Sequence, residues 1–212
     1  MKKLLPILFL FAYTSVFFAQ NKSEISLNII FGKNASTFGF VDSNGIKLKD
    51  MEYSQGNTFG IGMGITLADK HLIIPEFLYY EAGAKSDFEG TPLSWKLNYI
   101  GLGCGYGYKV INKSRFSMIP GVMLGADYLT KGIQTIGLNN YDVRKIEALT
   151  TWNMRSSFFL NNRLKVSEFM SIMFEYRFAI GLNQIENKDS DVNQKTRNIG
   201  HNFLLGFNIQ LK

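Results

Sequence analysis

The chain has 212 residues, with 23 Lys and Arg against 17 Asp and Glu and 46% hydrophobic residues. Setting aside Lys2 and Lys3, at the head of an apolar leader, 21 basic residues stand against 17 acidic ones, a +4 balance too mild to argue for nucleic acid as a partner. The single cysteine, Cys104, excludes an internal disulfide framework, and 18 Phe, 10 Tyr and 20 Gly form a mixture suited to β-structure.

The opening MKKLLPILFLFAYTSVFFAQ sets Lys2 and Lys3 before an uncharged apolar run from Leu4 to Ala19. This is the layout of a cleaved signal peptide over residues 1–19, and the run is short of the roughly 20 residues of a spanning helix. Phe17 is larger than the residue usually found near such a cleavage point. Residues 20–212 then form one exported domain, in which no apolar stretch is long enough for a helical membrane span.

Alternation with a period of two begins at once in that domain. In 24–33, Ile25, Leu27, Ile29 and Phe31 alternate with Ser26, Asn28 and Gly32; in 56–68, Phe59, Ile61, Met63, Ile65 and Leu67 alternate with Gly60, Gly62, Gly64 and Thr66. Strands are also predicted at 71–84, 95–110, 115–130, 144–160, 164–183 and 197–212. The fourth holds YIGLGCGYGYKV, with Gly101, Gly103, Gly105 and Gly107 at strict two-residue spacing. A dinucleotide fingerprint needs glycines at other offsets and a phosphate loop ends in Gly-Lys-Ser or Gly-Lys-Thr, so neither fits. The spacing is that of a strand with one bare face and one apolar face. The seventh and eighth strands alternate likewise, Met170 to Leu182 and Phe203 to Leu211 carrying the apolar faces. Pro75 and Pro120 fall inside predicted strands, where a bulge near a rim would accommodate each.

The connections alternate too. Short ones, at 69–70, 112–114 and 161–163, separate long polar ones at 34–55, 86–93, 131–143 and 185–196. Even strand number with alternating short and long connections matches an eight-stranded antiparallel up-and-down transmembrane β-barrel, all-β throughout. A soluble sandwich or lipocalin-like cup would point the apolar faces inward, but a water-exposed outside has little use for so many glycines. In a narrow barrel, lumenal glycine leaves room for bulky neighbours and permits curvature.

LIIPEFLYYEAGAKSDF, KLNYIGLGCGYGYKV, RFSMIPGVMLGADYL and FMSIMFEYRFAIGL together resemble the outer-membrane β-barrel domain family of Bacteroidota, porin-like or PorT-like, a small barrel of the OmpA/OmpX type. The resemblance spans nearly the whole mature chain. It implies an outer-membrane location in a Gram-negative cell, contact with outer-membrane lipid and lipopolysaccharide, and assembly by the barrel-assembly machinery. Such barrels commonly end in an aromatic residue, whereas this chain ends FNIQLK.

On the predicted lumenal faces stand Glu76, Asp127, Glu147, Asn153, Arg155, Glu175 and Arg177, which either pair to fill the lumen or line a narrow ion path. Eight strands enclose a space only wide enough for side chains, which favours the filled lumen. Tyr79, Trp95, Tyr108, Tyr128, Trp152 and Tyr176 are candidates for aromatic belts at the membrane boundaries. Lys131, Arg144, Lys145, Lys195 and Arg197 sit near the outer rims, where anionic headgroups would meet them.

Enzymatic function is not expected. His71 is placed at a short turn and His201 faces outward without a serine two positions away, so neither makes a catalytic base beside a nucleophile. Asp189, Asp191 and Asn193 begin like a calcium loop, but Gln194 and Gly200 stand where Gly and Glu are needed, so no metal site is expected. No cofactor motif is present, and Cys104 reads as a small hydrophobe. The expected role is structural, or interaction through the external loops, the first loop above all; a small-solute or ion channel is the alternative.

Overall fold

Ten antiparallel strands follow one another in the computed structural model, which describes residues 23–41, 51–88, 90–147, 149–186 and 195–211. The leader 1–19, the terminal Lys212, residues 42–50 of the first loop, and Asp189, Asp191 and Asn193 lie outside the described residues. The strands are β1 (Glu24–Val41), β2 (Glu52–Leu67), β3 (His71–Phe88), β4 (Thr91–Tyr108), β5 (Ile111–Asn112), β6 (Phe116–Ile136), β7 (Asn139–Asp142), β8 (Trp152–Lys165), β9 (Met170–Gly181) and β10 (Lys195–Leu211). Two of them are accessories: β5 lies in a turn and β7 folds back on the end of β6. The other eight pair in chain order, β4 with β6 and β6 with β8, and β10 closes on β1 from Ile25↔Leu211 to Val41↔Lys195. The sheet has no free edge. Closure satisfies the backbone of every wall strand within the wall, as a chain in hydrocarbon requires.

Alternation decides what each face meets. Leu102, Leu124 and Phe158 point outward, 67%, 61% and 62% exposed, while Gly101, Gly105 and Gly107 turn inward and are buried. The glycine row is required by what stands opposite. A Cβ on Gly101 would lie 2.0 Å from Asp127 Oδ1, and one on Gly107 would lie 2.7 Å from Ile119 and 3.3 Å from Phe159. Small residues on β4 therefore leave lumen volume for large ones on β6 and β8.

At one end the connections are short. Leu67–Lys70 is a tight turn with Ala68 and Asp69 both at positive φ, the backbone pattern of hairpin turns whose twist suits the flanking strands. Residues 109–115 and 166–169 make the other two short connections. The predicted turn at 161–163 is therefore displaced: β8 continues through Asn161, Asn162 and Arg163 to Lys165.

At the other end the strands outrun the sequence prediction. The expected loop 86–93 is a tight hairpin between β3 and β4, and 131–143 is largely the end of β6, a turn and β7. β1 runs to Val41, so Phe38 in the expected first loop is a buried core residue, its ring edge-on to Trp95 at 5.6 Å. These extensions were invisible because a strand above the membrane can be polar on its outer face. A bulge adds to this: Asn98 pairs with Lys131 but Tyr99 with Leu129, leaving Thr130 extra. The inward parity of β6 changes there, from Leu129 to Gly132, and alternation read straight through it fails.

No bulge forms at the prolines. Pro75 keeps its register with Cys104 and faces outward, and the β2–β3 ladder opens opposite it, between Gly62↔Glu76 and Ile65↔Ile73. Pro120 pairs with Leu160 just beyond the last β4–β6 pair, Gly107↔Gly121, where a missing donor costs little.

Candidate functional site

The inward faces of β3, β6, β8 and β9 bring six fully buried charged side chains together among the described residues: Glu76, Asp127 and Glu175 against Arg155, Arg163 and Arg177. Their charges cancel. Arg155 grips Asp127 in a fork, Nε to Oδ2 at 3.1 Å and NH2 to Oδ1 at 3.2 Å. The same carboxylate accepts from the Tyr80 hydroxyl at 2.8 Å and from Asn153 Nδ2 at 3.2 Å. Tyr80 stacks on Tyr99 at 5.2 Å, and the Arg155 guanidinium lies over the Tyr80 ring at 5.6 Å.

The second cluster centres on Arg177. Its NH1 and NH2 donate to the two oxygens of Glu76 at 2.5 and 3.0 Å, and its Nε and NH2 donate to Glu175 Oε1 at 2.9 and 2.5 Å. Glu175 accepts further from Asn161 Nδ2 at 2.7 Å, and Arg163 Nε donates to Asn161 Oδ1 at 2.9 Å. Planar guanidinium forks match carboxylates two bonds at a time, which is why arginine rather than lysine serves here.

Apolar side chains fill the remaining lumen. One cluster holds Leu72, Ile74, Ile119, Met123 and Phe159; a larger one includes Leu97, Tyr99, Leu129 and, from the long-connection end, Val143, Leu149 and Ile185. The voids beside the charged clusters are about 30 and about 10 Å³. A water needs at least roughly 10–15 Å³ and two or more polar partners, so each of these two spaces has room for only one or two waters.

Six of the seven predicted lumenal residues thus meet in two clusters. Glu147 does not: it stands exposed at φ +52° in the turn following β7, because β8 starts only at Trp152. Reading the sequence missed Arg163, Asn161, Tyr80 and Tyr99. Arg163 and Asn161 share the parity of Arg155 and were lost to the misplaced turn; Tyr99 shares that of Gly101.

Among the six aromatic candidates, Trp95 belongs inside, packed against Phe38 and the larger apolar cluster, on the inward parity of Leu97 and Tyr99. The other five face outward. Tyr128 and Trp152 meet edge-on at 5.2 Å with the Arg144 guanidinium 5.7 Å from the Tyr128 ring. Tyr108 stands edge-on to His71, which also bonds the Tyr106 hydroxyl at 2.8 Å, beside a short turn. Tyr176 bonds His201 Nδ1 at 2.8 Å, and Tyr53 bonds the opposite ring nitrogen at 3.3 Å. Both histidines are therefore engaged by phenols on the outer wall.

A polar chain circles part of that wall above the apolar belt. Lys33 donates to Asn57 at 2.7 Å, Asn57 donates to Glu81 at 2.9 Å, and Asn98 donates to the Tyr79 hydroxyl at 2.9 Å. Thr130 donates to the Asn98 carbonyl at 2.9 Å and Arg144 to that of Thr130 at 2.6 Å. Below it on β4, Ile100, Leu102 and Cys104 are exposed and uncharged until Tyr106 and Tyr108.

No family model matches the chain, and no curated protein matches it either. Solved structures do. Neisserial surface protein A aligns with a TM-score of 0.50 at 12% identity, over 90% of this chain and 99% of that one. This chain has the fold of a small outer-membrane β-barrel. OprG from Pseudomonas aeruginosa aligns at 0.49 and 12% identity over 88% of this chain and 95% of that one. The outer-membrane protease OmpT from Escherichia coli aligns at 0.45 and 10% identity over 89% and 97%.

Proposed function

We propose that this protein is an integral outer-membrane barrel with a sealed lumen, exported through its leader, whose work is done at its ends and not through its centre. The observation that carries this reading is the pairing of an apolar outer belt with a mid-lumen where Arg155 and Arg177 bond Asp127, Glu76 and Glu175 and apolar side chains fill the space around them. Conduction needs a wetted path with exchangeable sites, whereas fork-bonded guanidinium and carboxylate groups hold one another.

The wall then works as a rigid anchor presenting the long-connection end to the outside, where loops on a fixed scaffold contact a surface partner. There Lys131, Arg144 and Lys145, against the acids Asp142 and Glu147, line a cavity of about 560 Å³ beside Trp152, a net basic rim that can meet anionic lipid headgroups or lipopolysaccharide. Folding into the membrane would engage the barrel-assembly machinery. An enzymatic role has little support, since His71 and His201 are both bonded to tyrosines on the outer wall.

The test is planar-bilayer conductance of the refolded mature chain, residues 20–212, with heat-modifiable gel mobility confirming that it is folded. A silent, folded protein is expected. Discrete and reproducible current steps would overturn the sealed lumen and establish the channel reading.

A further inference from the structure

The short-turn end of the barrel holds a cavity of about 430 Å³, bounded by the start of β1, the 109–117 turn and the β8–β9 connection. Lys113, Arg115 and Lys165 stand at its rim, and Lys109 and Arg163 line it with them, against the two acids Glu24 and Glu168. Lys113, Arg115 and Lys165 form an exposed rim, but Arg163 beneath them is only 7% exposed. Its Nε is bonded to Asn161, but its NH2 is buried without any hydrogen-bond partner. A buried guanidinium donor without an acceptor carries a desolvation cost. Burial also holds the Lys109 ammonium below its ordinary range, opposed by the nearby Glu24 and Asp69 and reinforced by Arg163. The unpartnered Arg163 donor calls for an acceptor from outside.

We propose that this mouth is a binding site for a phosphate-bearing solute, whose oxyanion accepts from the Arg163 guanidinium and is held by the surrounding lysines. Several cations converging on one pocket suit a compact dianion. A soluble source is favoured over a lipid headgroup by position. Ser26, Thr66 and Asn208, which line the same cavity, are buried inward-facing residues, so the barrel wall stands between the pocket and any lipid. That this end meets the periplasm rests on the reading above; the binding itself does not, so the two can fail separately.

The experiment is calorimetric titration of the refolded protein with inorganic phosphate at fixed ionic strength, in zwitterionic detergent, with gel mobility reporting fold. Saturable binding is expected, weakened about tenfold by Arg163→Met, the worth of one charge-assisted hydrogen bond. Lys113→Gln, at the exposed rim, weakens it about threefold and guards against misfolding of the Arg163 variant. Lys96→Gln, on the outer wall, leaves it unchanged. No heat of binding, or equal affinity in the folded Arg163 and Lys113 variants, would overturn the site. A parallel arm uses phosphatidylcholine nanodiscs with and without phosphatidylglycerol; competition with phosphate only when the anionic lipid is present would overturn the soluble source.

Discussion

Replacing Arg177 by Met removes one side chain, itself 2% exposed, and strands two carboxylates at once. Glu175 retains Asn161 as a donor, while Glu76 loses both of its bonds to Arg177. Breaking a buried ion pair from one side costs about 3–5 kcal/mol, and with two acids left unpaired the upper end applies, about 5 kcal/mol. Neutralising the whole set is different, because it also removes the charges that need partners. The triple variant Glu76→Gln, Glu175→Gln, Arg177→Met is expected to fall only about 1–2 kcal/mol below the parent, the worth of one or two ordinary hydrogen bonds. Equilibrium urea unfolding in lipid vesicles, followed by tryptophan fluorescence from Trp95 and Trp152 and by gel mobility, measures both. If Arg177→Met stays within about 1 kcal/mol of the parent, or the triple variant is as unstable as the single one, the cluster does not hold the lumen as described.

The glycine row makes a sharper steric contrast. Gly101→Ala places a methyl 2.0 Å from Asp127 Oδ1 and should cost about 1–3 kcal/mol, whereas Gly103→Ala meets nothing closer than 3.3 Å and should be near neutral in the same unfolding assay. Phe159→Ala opens a cavity among Leu72, Ile74, Ile119 and Met123 and is expected to destabilise by about 3–5 kcal/mol. Equal stability of the two glycine variants, or a Phe159 variant as stable as the parent, would contradict the packing of that half of the lumen.

The wall was legible because a barrel in lipid imposes one rule on every strand: apolar out, small or polar in. That rule identified the faces of β2, β4, β9 and β10, and it put Asp127, Asn153, Arg155, Glu175 and Arg177 on the inside. It stops at the membrane boundary. Above it the outer face of a strand can be polar, as at Lys85 and Lys131, so the ends of β1, β3 and β6 read as loops. Asn161, Asn162 and Arg163 read as a turn for the same reason at the opposite rim, which hid Arg163, while Glu147 was drawn into a strand predicted from residue 144 although β8 starts only at Trp152. Trp95 was mistaken through its chemistry, since its parity with Leu97 already placed it inside. Which acid meets which arginine follows from register between distant strands, as with Glu76 and Arg177, and local periodicity carries no such information.

The outer wall provides the most direct measurement, and the native chain needs no substitution for it. A tilted strand climbs about 2.5 Å per residue across a bilayer, so the segment from Asn98 to Tyr108 spans about 25 Å, the height of the apolar band of such barrels. Cys104, exposed and free, lies about 10 Å inside that band. An environment-sensitive fluorophore attached there in detergent, with the protein then reconstituted into vesicles, should be quenched by lipids brominated in the acyl chain and untouched by aqueous iodide. Quenching by iodide with no response to brominated lipid would mean that the wall faces water and that the chain is not a membrane barrel.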